Sequence, residues 1–179
     1  GRAALSLVPG DYVISVSGSG TATGAYDFHL LDLANATPIT VGTRVDGQLS
    51  PANETNAYAF TGKAGDTVFL DYDPLSAQSG VYRVLGPEGT VLINSTSMGQ
   101  SSATATLTRD GTYTVLVEGQ VDQTGTADYS FAVYPVATSQ SSLTLGQTVT
   151  GNVTTPGHRD AYDFTVAGSA KVLFDSLTT

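Results

Sequence analysis

Apolar and polar residues alternate with a period of two along most of the chain. Tyrosine and valine occupy alternate positions from 113 to 117, and tyrosine, phenylalanine and valine do so from 129 to 133. Alternation of this kind puts apolar side chains on one face of a strand and polar side chains on the other. No stretch keeps helical spacing, so the pattern predicts strands with negligible helix.

Eight strands are predicted in the middle of the chain. They are expected near residues 43–49, 56–61, 67–73, 80–85, 89–95, 103–108, 111–119 and 126–134. Turn sequences such as GPEG at residues 86–89 and RDG at residues 109–111 separate them. Because so many short strands cannot bury their apolar faces in one flat sheet, the predicted fold class is all-β, a jelly-roll-like two-sheet antiparallel β-sandwich.

The apolar face of these strands defines a predicted core. Its members are Tyr58, Phe60, Val68, Leu70, Tyr113, Val115, Val117, Tyr129, Phe131 and Val133. The aromatic pairs among them also suit a sugar-stacking platform, but their alternation puts the rings on the buried face. Core packing is therefore the preferred interpretation.

The chain also repeats itself. PGDYVISV at residues 9–16 returns as DGTYTVLV at residues 110–117, which is 101 positions later. NAYAF at residues 56–60 likewise returns as DAYDF at residues 160–164. Self-similarity at a nearly fixed period indicates tandem repeats of one fold, and we expect residues 37–137 to be the complete copy.

The two ends are predicted to be partial copies. Residues 1–34 correspond to the C-terminal strands of a preceding repeat, and residues 138–179 to the N-terminal strands of a following one. Neither piece can bury its apolar face alone, and exposing a large apolar side chain costs about 1.5 to 3 kcal/mol. We expect them to pair with each other in one chain or, preferably, with the complementary piece of a neighbouring chain, giving head-to-tail self-association.

The amino-acid composition indicates the cellular location of the protein and disfavours some classes of partner. Sixteen acidic residues against seven basic ones give a net charge of −9, which disfavours nucleic acid and anionic membranes as partners. No apolar run approaches the roughly 18 to 20 residues of a bilayer span, so no membrane insertion is expected. Cysteine is absent and lysine nearly so, which favours a secreted or cell-surface bacterial protein.

The order of the motifs resembles that of the bacterial pre-peptidase C-terminal (PPC) domain. The motifs are VDG at 45–47, NAYAF at 56–60, AG at 64–65, GPEG at 86–89, GTYTVLV at 111–117 and YSF at 129–131. This resemblance implies a non-catalytic accessory module, found in secreted proteases and in tandem in surface proteins, that serves secretion, folding or retention on an insoluble substrate. Many members carry Asp-x-Asp before the aromatic strand. Asn56 stands there here, with acids only at Asp160 and Asp163 of the partial copy, which counts against a metal role at Asn56.

Residues for catalysis are few. His29 and His158 are the only histidines, and no Gly-x-Ser-x-Gly elbow accompanies the many serines. The sequence therefore predicts a protein that is not an enzyme.

Calcium is the one cofactor that the sequence suggests, because it needs only hard oxygen ligands. Asp71 and Asp73 flank Tyr72 and are expected to point the same way from one strand, with Asp46 and Glu54 in adjacent loops. No EF-hand or nonapeptide calcium loop occurs. These four residues are candidate metal ligands, and the alternative is a set of solvated acids at a strand edge.

The leading functional interpretation is an accessory or spacer repeat with weak adhesive capacity in a long exported bacterial protein. Its partners would be neighbouring copies of the repeat. One alternative is a substrate-targeting module of a secreted protease, which would bind polysaccharide or insoluble protein. A second is a calcium-dependent adhesin segment.

Overall fold

The computed structural model describes residues 4–73, 75–76, 80–96 and 102–177. The strands are β1 (Thr37–Pro38), β2 (Arg44–Leu49), β3 (Thr55–Gly62), β4 (Thr67–Tyr72), β5 (Gly80–Leu85), β6 (Val91–Thr96), β7 (Ser102–Thr106), β8 (Gly111–Gly119), β9 (Ala127–Pro135), β10 (Thr138–Ser142) and β11 (Arg159–Asp163). One 3-10 turn, Leu33–Asn35, precedes β1, and the described residues contain no α-helix. The predicted all-β class is confirmed, and the eight predicted strands are β2 to β9.

Strands β1 to β9 form two sheets that enclose one core. The five-stranded sheet has the order β1-β3-β8-β5-β6 and the four-stranded sheet the order β2-β9-β4-β7. Within them β1 pairs with β3 in parallel, and the other neighbours are antiparallel. Early strands lie beside late ones, with β3 next to β8 and β9 between β2 and β4, as in a jelly roll. The predicted two-sheet sandwich is confirmed.

The core lies between the sheets and consists largely of the predicted residues. Nine of the ten are buried, and Tyr58 is half-buried and packs against them. The rings of Tyr58 and Phe131 meet edge to face with centroids 5.2 Å apart. Tyr72 and Tyr82, which were not predicted, are also fully buried, with ring centroids 4.5 Å apart. The predicted aromatic pairs of the sandwich are therefore part of its core and are not an exposed sugar-stacking platform.

The outer face of β8 is buried as well, although its alternation predicts a solvated face. Thr114, Leu116 and Glu118 are each less than a tenth exposed, because β8 lies between β3 and β5 in the five-stranded sheet. The Glu118 carboxylate accepts two hydrogen bonds from the guanidinium of Arg83 on β5, one of them at 2.7 Å from Nη2. Without this ion pair, burial of the charged Glu118 carboxylate would cost a large free energy.

The ends of the chain contain little regular structure. Strands β10 and β11 form a separate two-stranded parallel sheet in which Thr138 pairs with Arg159 and Ser142 with Asp163. Residues 4–32, which we call the N-terminal segment, form no strand. Residues 138–177, the C-terminal segment, contain only β10 and β11 among the strands described.

Candidate functional site

Two of the predicted calcium ligands lie together on the outer face of the four-stranded sheet. Asp71 of β4 accepts a hydrogen bond from Nη1 of Arg44 at 2.9 Å, and Asp73, just beyond β4, accepts one from Nη2. Arg44 Nε also donates to Ser130 Oγ at 2.6 Å. Strands β2, β9 and β4 are adjacent, so one guanidinium ties the three strands together on this face.

Arg44 is the common partner of Asp71 and Asp73, and the sequence around these two acids does not reveal it. Desolvation lowers the pKa of Arg44, but the hydrogen bond and charge of Asp73, together with the charge of Asp71, outweigh it and raise that pKa above its ordinary value. A calcium ion at this place would have to displace a guanidinium from the carboxylate oxygens that it needs. The group is best described chemically as an arginine-centred ion-pair cluster.

The other two candidate ligands do not join this group. Asp46 is exposed on β2, opposite Ser130. Glu54 lies in the turn before β3, where its carboxylate accepts a hydrogen bond from the Ser50 amide at 2.8 Å. The described part of the chain has no group of three or more His, Cys, Asp or Glu residues placed to hold a metal ion. The calcium site stays a prediction.

The histidines lie in the terminal segments, and one has two polar neighbours. His158 Nε2 is 3.0 Å from Ser139 Oγ and 3.1 Å from Asp160 Oδ1. A serine hydrolase relay needs the serine and the carboxylate on opposite nitrogens of the imidazole ring. Here both contacts end on the same nitrogen, so this arrangement cannot relay a proton between them. His29 lies exposed in the N-terminal segment.

A cluster of hydroxyl and amide groups lies inside the sandwich between β3 and β9. The hydroxyls of Tyr58 and Tyr129 hydrogen-bond each other, and Asn56 Nδ2 donates to Tyr129 Oη at 2.9 Å and to the Gln48 carbonyl at 3.2 Å. Desolvation, followed by the hydrogen bond and charge of Tyr129, raises the pKa of Tyr58 well above its ordinary value. The raised pKa keeps the Tyr58 phenol neutral, so the cluster supports packing rather than acid–base chemistry.

Nearly all the exposed large apolar side chains in the described part of the chain lie in the two terminal segments. In the N-terminal segment the exposed large apolar residues are Leu5, Leu7, Val8, Tyr12, Val13, Ile14, Val16, Tyr26, Phe28 and Leu30. In the C-terminal segment they are Leu145, Val149, Val153, Tyr162, Phe164, Val166, Val172, Leu173, Phe174 and Leu177. Each terminal segment therefore exposes ten large apolar side chains among the described residues.

A local hydrogen bond of the sandwich recurs in the N-terminal segment. At the start of β8 the Tyr113 hydroxyl donates to the Arg109 carbonyl at 2.6 Å. The Tyr12 hydroxyl donates to the Val8 carbonyl, also at 2.6 Å and also four residues back. Each tyrosine thus closes the same turn at the same place in the motif.

One strand pair of the sandwich and the strand pair of the C-terminal segment have the same hydrogen-bonded arrangement. The Ile39 amide donates to the Ala59 carbonyl at 2.8 Å beside β1 and β3, and the Leu143 amide donates to the Asp163 carbonyl at 2.7 Å beside β10 and β11. Both strand pairs are parallel. The pair β10–β11 is therefore arranged as the pair β1–β3 is.

No described helix is long and apolar enough to cross a membrane. No protein-family model matches the chain, and no curated protein matches it either.

Several solved structures are similar to part of the chain. PliG of Aeromonas hydrophila, a periplasmic inhibitor of g-type lysozyme, is 18% identical with a TM-score of 0.47, over 56% of this chain and 95% of that one. The pre-peptidase C-terminal domain of a Bacillus anthracis collagenase is 16% identical with a TM-score of 0.47, over 55% and 94% of the two chains. PliG of Salmonella Typhimurium is 15% identical with a TM-score of 0.41, over 56% and 97%.

Proposed function

We propose that the chain is a non-catalytic spacer or accessory module, made of tandem β-sandwich repeats, of a long exported bacterial surface or secreted protein. Its complete copy is residues 37–137, with partial copies at residues 1–34 and 138–179. The observation that carries the proposal is that hydrogen bonds of the complete sandwich recur at equivalent positions in both terminal segments. Local structure that recurs in step with the sequence is the signature of repeat architecture.

Backbone conformation also supports the repeat. Gly42 follows β1 with a φ of 87°, and Gly146 follows β10 with a φ of 86°. Side chains other than glycine rarely adopt this left-handed region, so both copies need the same residue at the same turn. The two glycines are 104 positions apart, as are Tyr58 and Tyr162.

The side-chain chemistry favours a structural role. The acids that could bind a cation are engaged with Arg44, and the Ser139, His158 and Asp160 group lacks a relay geometry. Export is supported by composition, since a cysteine-free, lysine-poor and acidic chain suits an oxidising extracellular environment.

Hydrolase assays with and without His158 test the non-catalytic assignment. Purified chain and the His158→Ala variant would be incubated with chromogenic esters and with casein. We expect both proteins to give the same background rate. Turnover by the wild-type chain that the variant lacks would contradict the proposal.

Sedimentation with insoluble substrates distinguishes the spacer assignment from the alternative, a substrate-targeting module. The chain would be mixed with cellulose, chitin or collagen fibres and centrifuged, with the sandwich followed by tyrosine absorbance. A spacer is expected to remain in the supernatant in each case. Saturable binding to one material would replace the spacer assignment with that of a substrate-targeting module.

A further inference from the structure

We propose that the junction between the complete sandwich and the copy that follows it is a fixed joint, in which the loop before β11 docks on the outer face of the four-stranded sheet. The interaction surface is centred on Phe69 of β4, and its partner is the loop of residues 155–158, which we call the docking loop. The inference rests on the proposed repeat organisation and adds a property to the spacer, because a fixed joint holds successive repeats at a set angle.

The linker between the two copies is short and hydrogen-bonded on both sides. It consists of Val136 and Ala137, between the end of β9 and the start of β10. The Val136 amide donates to the Thr67 carbonyl of β4 at 2.8 Å, and the Ala137 carbonyl accepts from the Arg159 amide of β11 at 3.0 Å. One linker residue is thus bonded to the sandwich and the other to the next copy. These bonds restrict the backbone rotation that a flexible linker needs.

The docking loop lies directly against the outer face of β4. Phe69 points outward from this strand, between the buried residues Val68 and Leu70, and is only partly exposed. A Cβ built on Gly157 would be 2.6 Å from Phe69 Cβ and 2.9 Å from Phe69 Cγ. It would also be 3.4 Å from Val136 Cγ2. The loop therefore contacts the sheet and the linker together.

Gly157 is suited to this contact in two ways. Its φ is 75°, in the left-handed region that residues other than glycine rarely adopt. A side chain at Gly157 would also overlap Phe69, because carbon atoms in contact are about 3.5 to 4.0 Å apart. The corresponding residue of the complete copy is Asn53, so the repeat itself does not require glycine at this position. The close approach to Phe69 does require it.

The pattern of burial along the C-terminal segment supports docking at this place. Between residues 138 and 156, Leu143 is the one residue that is not exposed. Partial burial returns at Gly157 and His158, where the segment meets the sandwich. The shielded part of the segment therefore coincides with the docking loop.

Hydrogen bonds within the next copy hold the docking loop in shape. The His158 amide donates to the Thr155 carbonyl at 3.1 Å and closes the loop into a turn. Through Nε2 the His158 ring contacts Ser139 Oγ of β10 at 3.0 Å and Asp160 Oδ1 of β11 at 3.1 Å. This polar group, which lacks the geometry of a proton relay, thus connects the docking loop to both strands of the next copy.

Paired nitroxide labels measure whether the joint is fixed, because the chain contains no cysteine and takes labels only where cysteines are introduced. Gln120→Cys lies at an exposed position after β8, and Ser142→Cys lies at an exposed position at the end of β10. Double electron–electron resonance on the full chain with both labels should give one narrow distance distribution. A distribution as broad as that of a flexible linker would overturn the proposal.

Two glycine variants in the labelled chain test the contact itself. Gly157→Ala should broaden the distance distribution, because its methyl group would overlap Phe69 and displace the docking loop. Gly146→Ala is the matched control: Gly146 has a φ of 86° in the same segment, but a Cβ there meets nothing within 4 Å. It should leave the distribution narrow. Equal distributions in the two variants, whether both narrow or both broad, would contradict the proposal.

Phe69→Ala tests the same contact from the side of the sandwich and leaves both glycines in place. Phe69 is not a core residue, so the sandwich should fold normally, and slow amide exchange in β8 checks this. We expect the distance distribution to broaden as in Gly157→Ala. An unchanged distribution in a folded Phe69→Ala protein would refute the docking surface.

Failure of the fixed joint is distinguishable from failure of the spacer assignment. A mobile joint would change neither the hydrolase result nor the sedimentation result. Saturable binding to an insoluble substrate would replace the spacer assignment but would leave the distance distributions as expected here.

Discussion

At the scale of single residues, two tyrosines bring polar phenol groups into the interior of the sandwich. Tyr58 and Tyr82 place phenol groups among apolar neighbours, and the Tyr82 hydroxyl donates to the Asp73 carbonyl at 2.9 Å. Desolvation, and then the charge of Asp73, raises the pKa of Tyr82 well above its ordinary value. The folded state thus depends on these phenols remaining protonated.

The raised pKa values of Tyr58 and Tyr82 lead to an expected alkaline instability. Above about pH 10 the unfolded chain releases phenolic protons that the folded chain keeps, so the free energy of unfolding should fall as pH rises. Urea unfolding between about pH 8 and pH 11 measures this slope, which should be shallower in Tyr58→Phe. Tyr134→Phe, which removes a hydroxyl from the outer face of β9, is the matched control. A slope identical in all three proteins would disprove the assignment.

The Arg83–Glu118 pair should be important for stability because its side chains are only 12% and 7% exposed. Glu118→Ala removes the carboxylate that faces a buried guanidinium, and such changes destabilise proteins by roughly 3 to 5 kcal/mol. The double variant Arg83→Met, Glu118→Leu removes both charges and should be considerably more stable than the single one. Denaturant unfolding provides the comparison, and a single variant as stable as wild type would contradict the assigned role.

The Arg44 cluster leads to an expectation about calcium. Because Arg44 already contacts Asp71 and Asp73, the melting temperature of the wild-type chain should be the same in millimolar calcium and in chelator. Arg44→Met should lower the melting temperature, since two nearby carboxylates lose their common partner. A calcium-dependent rise in the wild-type chain would instead support the calcium site predicted from Asp71 and Asp73.

At the scale of strands, the sequence alone predicts the buried face of a strand where the large apolar residues mark only one of its two faces. Aromatic and valine residues recur at every second position in residues 113–117 and 129–133, and β8 and β9 bury these predicted side chains. At residues 81–85 apolar residues occupy both phases, so the inward face of β5 could not be chosen from sequence. The structure turns Tyr82 and Val84 inward, and a register shift after Val84 lets Leu85 become buried too.

Contacts between distant strands were beyond sequence inspection. Arg44 meets acids that are 27 and 29 residues later in the chain, and Arg83 meets Glu118 across 35 residues. No local motif encodes these pairs, because they follow from which strands the topology makes adjacent. For the same reason the sequence around Asp71 and Asp73 does not show that Arg44 contacts both acids.

At the scale of the whole molecule, the jelly-roll topology makes each sheet depend on strands from both halves of residues 37–137. In the five-stranded sheet β3 pairs with β8, and in the four-stranded sheet β9 lies between β2 and β4. Strands that are far apart in the sequence therefore have to meet before either sheet can form, and the core between the sheets is completed only when both are present.

Hydrogen–deuterium exchange tests this account most directly. We expect the amides of β3, β8 and β9 to exchange slowly and at similar rates, because these strands hold the two sheets around one core. Fast exchange of the β8 and β9 amides, at the rate expected for an unfolded chain, would contradict the account.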